Sequence, residues 1–211
     1  MRTIKKLFII FLLLTSLQGV AQNISIGPAV SFGSSWVSFD QTDSINSQFH
    51  PAFSGGVFII YSPSSTWGFG ADLLYSREGA TVEQTILGSK FISEVNFDYI
   101  RIPLKAIYFF NEYGDPVRPK IFIGPQIGFL LAAKFEDVDV MDAYNPFDAG
   151  IVAGAGANMR LAEAIWLNVD VHYYQGLVDI SDNTFTDERN LNSNAAITVG
   201  VAFGLGANTN E

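Results

Sequence analysis

The chain has 211 residues, of which 48% are hydrophobic, only 16% are charged, 19 are glycine and none is cysteine. The length allows one domain or two small ones, and the absence of cysteine excludes a disulfide framework, a thiolate metal site and a cysteine nucleophile. The net charge of −9, with basic residues clustered only in the first six positions, argues against a nucleic-acid partner.

The first 21 residues have the three parts of a secretory signal peptide. A basic start contains Arg2, Lys5 and Lys6. The apolar core Leu7–Leu17 follows, and Gly19–Ala21 offers the small residues of a cleavage site. Eleven apolar residues are too few for a spanning helix, which needs about 20. We therefore predict cleavage after Ala21, which removes three of 12 basic residues and leaves 9 basic against 21 acidic ones, a net charge of −12.

Residues 22–206 alternate repeatedly between large apolar and small or polar side chains, a period of two that is typical of β-strands. A helix is the alternative prediction for Phe147–Arg160, but the three closely spaced glycines of this segment would destabilise a helix by about 1 kcal/mol each. Each segment has roughly the 9–11 residues that a tilted transmembrane strand requires. The eight predicted strands are Ile24–Phe32, Phe53–Ser62, Phe69–Ser76, Tyr99–Tyr108, Ile121–Leu131, Phe147–Arg160, Ile165–Tyr174 and Ala196–Leu205.

The connections between these strands alternate strictly between long and short. The long ones are Gly33–His50, Gly79–Glu94, Lys134–Pro146 and Val178–Asn194; the short ones are Pro63–Thr66, Asn111–Pro119 and Leu161–Ala164. Outer-membrane barrels sort their loops in this way, with short periplasmic turns and long external loops. We therefore predict an all-β fold, an eight-stranded antiparallel up-and-down transmembrane β-barrel of the OmpA/OmpX-like kind. Both termini would be periplasmic, and residues 207–211 would form a short tail.

One face of each predicted strand is rich in glycine, alanine and serine, and the other is bulky and aliphatic. A narrow barrel has little interior space, so we assign the small face to the lumen and the aliphatic face to lipid. A soluble lipocalin-like barrel is the alternative, and it would need a hydrophilic exterior. Aromatic belts are predicted beside the short turns and toward the long loops, with Trp166 and Phe97 among their members. Local bulges are predicted at Pro28, Pro103 and Pro125.

Several short segments, taken in order, resemble a known family. They are Leu73–Ser76 with Gly79, Tyr99–Leu104, Ile123–Pro125, Phe147–Gly150 with Gly154–Gly156, and Tyr173–Leu177. From about Asn23 to Leu205 the chain resembles the outer-membrane β-barrel domain proteins of Bacteroidetes, a porin-like group that includes PorT-type proteins. The last strand looks like an outer-membrane insertion signal, carried by Thr198, Gly200, Phe203 and Leu205. This likeness implies outer-membrane lipid and the barrel-assembly machinery as partners.

Charged residues on the predicted inward face would form a polar network. They are Asp72, Arg101, Lys105, Asp148, Arg160, Asp170 and His172. Because an unpaired charge in a narrow barrel costs several kcal/mol, we expect them to pair and to close the lumen. A proton or ion path through the barrel is the alternative interpretation.

No segment predicts catalysis or a cofactor. His50 and His172 could serve a lipid-modifying enzyme, but neither has the neighbouring residues of a catalytic triad. The acidic third and fourth long loops lack the residue spacing of a calcium-binding EF-hand, and we interpret them as solvated surface. We predict a structural or interaction role through the external loops rather than a general pore. A component of a secretion apparatus is the alternative.

Overall fold

Antiparallel strands account for most of the structure. The computed structural model describes residues 23–39, 45–86, 89–181 and 189–205, so the predicted signal peptide and the tail 207–211 lie outside the described residues. The strands are β1 (Ile24–Phe39), β2 (Ile45–Gln48), β3 (His50–Tyr61), β4 (Trp67–Ile86), β5 (Ser89–Phe109), β6 (Val117–Phe135), β7 (Val138–Asp139), β8 (Phe147–Ala162), β9 (Ile165–Gly176) and β10 (Asn190–Gly204). One 3₁₀ turn spans Met141–Ala143.

Eight of these strands close into a barrel. Each pairs with its neighbour in the chain, in the order β1, β3, β4, β5, β6, β8, β9 and β10, and β10 pairs back with β1. The two short strands lie outside this ring, because β2 pairs with β4 and β7 with β6. The fold is therefore the predicted eight-stranded up-and-down barrel. No helix in the described part of the chain is long and apolar enough to cross a membrane.

Two of the predicted long loops are largely strand. Between Gly79 and Glu94 the chain forms the upper half of a β4–β5 hairpin that stays paired to its end, Ile86 opposite Ser89. In the first loop β1 continues to Phe39. Strands β1, β4 and β5, with 16, 20 and 21 residues, are longer than the roughly 9–11 residues that a tilted strand needs to cross a bilayer. The strands therefore project beyond the membrane at the end that carries the long loops, which we call the long-loop end.

The prolines interrupt the strand ladder without creating the predicted bulges. Pairing skips Pro28 between β1 and β10, Pro103 between β4 and β5, and Pro125 between β5 and β6, yet the register is the same on both sides of each gap. A proline removes one hydrogen bond but inserts no extra residue. The register shifts lie elsewhere, beside Asp98 and beside Arg160.

The bulky aliphatic side chains of the barrel strands face outward, as predicted, but two aromatic residues predicted for the outer belts face inward. Bulky aliphatic side chains such as Val30, Leu104 and Ile123 are exposed on the outer surface. Near the short turns, Trp67 packs edge-on against Tyr108, and Tyr108 packs edge-on against Phe110. Phe97 and Trp166 are not part of the outer belts: Phe97 is 1% exposed and Trp166 packs against the interior cluster.

Candidate functional site

The lumen contains a buried arginine cluster, formed by Arg101 with Glu78 and Asp148. Arg101 donates from Nε to Glu78 Oε1 at 3.0 Å and from Nη2 to Glu78 Oε2 at 2.5 Å. Its Nη1 donates to Asp148 Oδ2 at 2.5 Å. All three side chains are at most 3% exposed. Such bidentate, charge-assisted hydrogen bonds are among the strongest that proteins make.

Neutral donors complete this cluster, because two carboxylates face a single guanidinium. Ser76 and Asn192 donate to Glu78 at 2.8 and 3.2 Å, and the Tyr174 hydroxyl donates to Asp148 at 3.0 Å. The guanidinium carbon lies 3.9 Å from the centre of the Tyr99 ring, a cation–π contact. Strands β4, β5, β8, β9 and β10 thus meet at one point and fill the lumen.

A second group, the lysine cluster, lies nearer the short turns. Lys105 Nζ is 2.7 Å from Asp72 Oδ2, and Lys120 Nζ is 3.0 Å from Asp170 Oδ1. His172 borders this cluster and approaches the hydroxyl of Thr198 at 3.4 Å. The cavities here measure about 20 and 30 Å³, enough for one or two water molecules each. A continuous channel would need far more space.

Glycines permit two ion pairs that each reach over an intervening strand. Gly128 is paired with Arg101 on one side and with Asp148 on the other, so the arginine reaches across a strand that has no side chain there. Gly156 stands in the same way between Lys120 and Asp170. A Cβ on Gly128 would lie 2.3 Å from Arg101 Nη1. The pattern of cation, glycine and acid across three adjacent strands therefore occurs twice.

Apolar residues cover the arginine cluster at the long-loop end. The Tyr144 ring packs edge-on against Phe97 at 4.8 Å, and Ile180 is fully buried in the same cluster. The backbone N–H of Asn145 donates to the Ile180 carbonyl at 2.8 Å, which ties the third loop to the fourth. Burial raises the pKa of the Tyr144 hydroxyl. The mouth is closed by packed side chains.

The short-turn end is closed by Arg118. Its guanidinium lies 4.0 Å from the centre of the Phe109 ring and donates to the Ser65 carbonyl at 2.6 Å. Tyr113, in the turn between β5 and β6, donates a hydrogen bond to the carbonyl of Ser62, in the turn between β3 and β4. Two turns are thereby held together across the opening.

Comparison with known proteins identifies the family. The sequence profile of the outer membrane protein beta-barrel domain matches residues 20–182. The chain belongs to the outer membrane protein beta-barrel domain family. Membership in this family places the protein in the bacterial outer membrane. The matched residues end before β10, the strand that closes the ring.

Solved structures show the same fold at low sequence identity. The outer membrane protein OprG from Pseudomonas aeruginosa aligns with a TM-score of 0.56 and 12% identity over 85% of this chain and 94% of that one. Neisserial surface protein A (NspA) gives a TM-score of 0.55 and 15% identity, covering 86% of this chain and 97% of that one. A search of curated protein sequences finds no match.

Six of the seven predicted network residues of this outer-membrane barrel line the lumen, and Arg160 does not. Arg160 is exposed at the end of β8, where the register with β9 shifts, and among the described residues it forms no ion pair. The prediction omitted Glu78 and Lys120, which lie one alternation step beyond the ends of the predicted strands. Extending the period of two by that step would have found both.

The other predicted residues have defined positions. Thr198 and Gly200 face the lumen, whereas Phe203 and Leu205 face outward. Neither histidine lies on the lipid-facing surface: His172 is inside the barrel, and His50 is held between Thr81 at 3.2 Å and Asn96 at 3.1 Å.

Proposed function

We propose that this outer-membrane barrel is a closed, non-conducting protein with a structural or interaction role, and that its long-loop end is the contact surface. The observation that carries the proposal is the arginine cluster, since Arg101 is 2% exposed and joins five strands across the lumen. An apolar layer lies on each side of this cluster. The layer at the long-loop end includes Phe97 and Ile180, and the layer at the short-turn end includes Phe109. Eight-stranded barrels of this size are normally filled by side chains.

Interaction is tested by photo-crosslinking in intact cells. A photoreactive amino acid replaces Leu177, which is 57% exposed at the long-loop end, or Leu104, which faces outward in the apolar band. We expect a protein adduct from position 177 and none from position 104. Equal yields at both positions would contradict a contact role for this end. A component of a secretion apparatus would give an adduct with other components of that apparatus.

We further propose that the long loops face outward and that both termini are periplasmic. Support comes from the even number of barrel strands and from the hydrogen bond between Leu205 and Ile24, which puts the first and last described strands' outer ends beside the short turns. The chain has no cysteine, so single cysteines report accessibility without background. A membrane-impermeant maleimide should label Leu177→Cys in intact cells and leave Leu205→Cys unlabelled until the outer membrane is opened. The reverse pattern would invert the orientation.

A further inference from the structure

The β6–β7 hairpin at the long-loop end exposes an apolar pair, Phe135 and Val138. The two residues are directly paired across the hairpin, so their side chains lie on the same face of it. Phe135 is 40% exposed and Val138 is 66% exposed. Both lie farther toward the long-loop end than the ion pair of Arg77 and Asp98, and the exposed residues Glu136 and Asp137 form the turn between them. The pair is therefore outside the hydrocarbon layer, in contact with water.

Backbone hydrogen bonds fix this hairpin to the barrel wall. The N–H of Glu136 donates to the Glu94 carbonyl at 3.0 Å, and the N–H of Val140 donates to the Ala133 carbonyl at 3.0 Å. Glu136 has a φ of 53°, in the left-handed region that a tight turn of this kind requires. The apolar pair is thus presented on an element that backbone hydrogen bonds hold in place, which lowers the entropy cost of binding.

Carboxylates flank the apolar pair. Five exposed acidic residues lie on or next to the hairpin: Glu94, Glu136, Asp137, Asp139 and Asp142. None of the five forms an ion pair within the described ranges of the chain, and Lys134 is the one basic residue in the segment from Lys134 to Asp142. The described residues also contain no group of three His, Asp or Glu side chains that could hold a metal ion. The acidic charge is spread along the hairpin rather than focused on one point.

We propose that the Phe135–Val138 pair anchors a basic polypeptide segment of a partner protein. The apolar pair would take an apolar side chain of that segment, and the surrounding carboxylates would face its lysine or arginine residues. Apolar contact at the centre with charges at the rim is the usual anatomy of a protein interface. The same carboxylates repel the anionic groups of membrane lipid, which argues against a lipid occupant. This inference rests on the proposed contact role of the long-loop end.

A defined pair of peptides tests the proposal. The full chain in nanodiscs of phosphatidylcholine is titrated with a ten-residue peptide of alternating leucine and lysine, or with its leucine–glutamate counterpart, against empty nanodiscs. We expect saturable binding of the lysine peptide alone, weakened about tenfold by Phe135→Ser with Val138→Ser. Leu161→Ser is the matched control, because Leu161 is 60% exposed at the opposite end. Equal binding of both peptides, or no effect of the double substitution, would overturn the proposal.

Crosslinking in cells separates this inference from the proposed function. A photoreactive residue at position 138 should give a protein adduct that disappears when Asp137, Asp139 and Asp142 are all changed to lysine. Adducts from position 177 with none from position 138 would overturn the inference and leave the contact role intact. An adduct at position 138 that survives the charge reversal would also overturn it.

Discussion

Arg101 and Glu78 lie on the neighbouring strands β5 and β4, four residues out of direct register, and their side chains share two hydrogen bonds, of 3.0 and 2.5 Å. Both side chains are almost fully buried inside a membrane barrel. Removing one partner of such a pair leaves an uncompensated buried charge, which is strongly destabilising.

Replacement of Arg101 should destabilise the barrel strongly. Arg101→Ala leaves Glu78 and Asp148 buried without a cation, and we expect a loss of about 3–5 kcal/mol. The measurement is the temperature at which gel migration changes from the folded to the unfolded position. Arg77→Ala is the matched control, because Arg77 is 62% exposed in its pair with Asp98 and should contribute within about 1 kcal/mol. Unchanged migration of Arg101→Ala at every temperature would contradict this prediction.

Gly128→Ala should destabilise the barrel only while Arg101 is present. The three atoms nearest to the added Cβ all belong to the Arg101 side chain, which its ion pairs hold in place. In an Arg101→Ala background the clash is gone, so Gly128→Ala should add little further loss. Gly55→Ala serves as the control, since its Cβ would meet nothing closer than Val30 Cγ1 at 4.0 Å. Additive losses of Gly128→Ala and Arg101→Ala would show that the Arg101 side chain does not pass over Gly128.

The sequence predicted the barrel because the physical cause of each strand is local. Large apolar side chains alternate with small or polar ones because lipid lies on one side of each strand and the narrow lumen on the other. The positions of the strands, and inward residues such as Asp72, Lys105 and Asp170, can therefore be predicted from the sequence. The ion pairs join strands distant in sequence, and their partners depend on register. Gly128 between Arg101 and Asp148 has no sequence signal, because only the strand register places the three in one row.

The errors in the prediction lie at the ends of strands. Arg160 continues the inward alternation of β8, but a register shift at the turn leaves its side chain exposed. Phe97 and Trp166 are aromatic residues near strand ends, as belt residues are, yet they point into the lumen and close it. Composition does not distinguish an aromatic side chain in a belt from one in a plug.

Trp67 and Trp166 should differ in their access to lipid. Trp67 is 52% exposed on the outer surface, whereas Trp166 packs against the interior cluster. In variants that retain one tryptophan, with phenylalanine at the other two positions, brominated lipids should quench the fluorescence of Trp67 and leave that of Trp166 nearly unchanged. Equal quenching of both would contradict the assignment of the two faces.

Acid should loosen the fourth loop through Asp179. Burial raises the pKa of Asp179, but hydrogen bonds from the backbone N–H and hydroxyl of Ser181 and from the Asn190 N–H lower it, to a net value below the ordinary 3.8. The stabilising effect is therefore complete above about pH 3.8 and is lost as the pH falls through the lowered pKa. Hydrogen exchange of the Asn190 amide should show this opening in the wild type. In Asp179→Asn the exchange should be faster at neutral pH and show no such acid transition; an identical acid transition in both proteins would refute the role of Asp179.

The closed lumen is the central claim, and single-channel recording in planar bilayers tests it most directly. The purified full-length barrel, inserted in parallel with a known porin as the reference, should show no step-like openings of porin size. Reproducible steps of that size from the wild-type barrel would contradict the proposed closed state, which rests on the buried arginine cluster and on the apolar layers on either side of it.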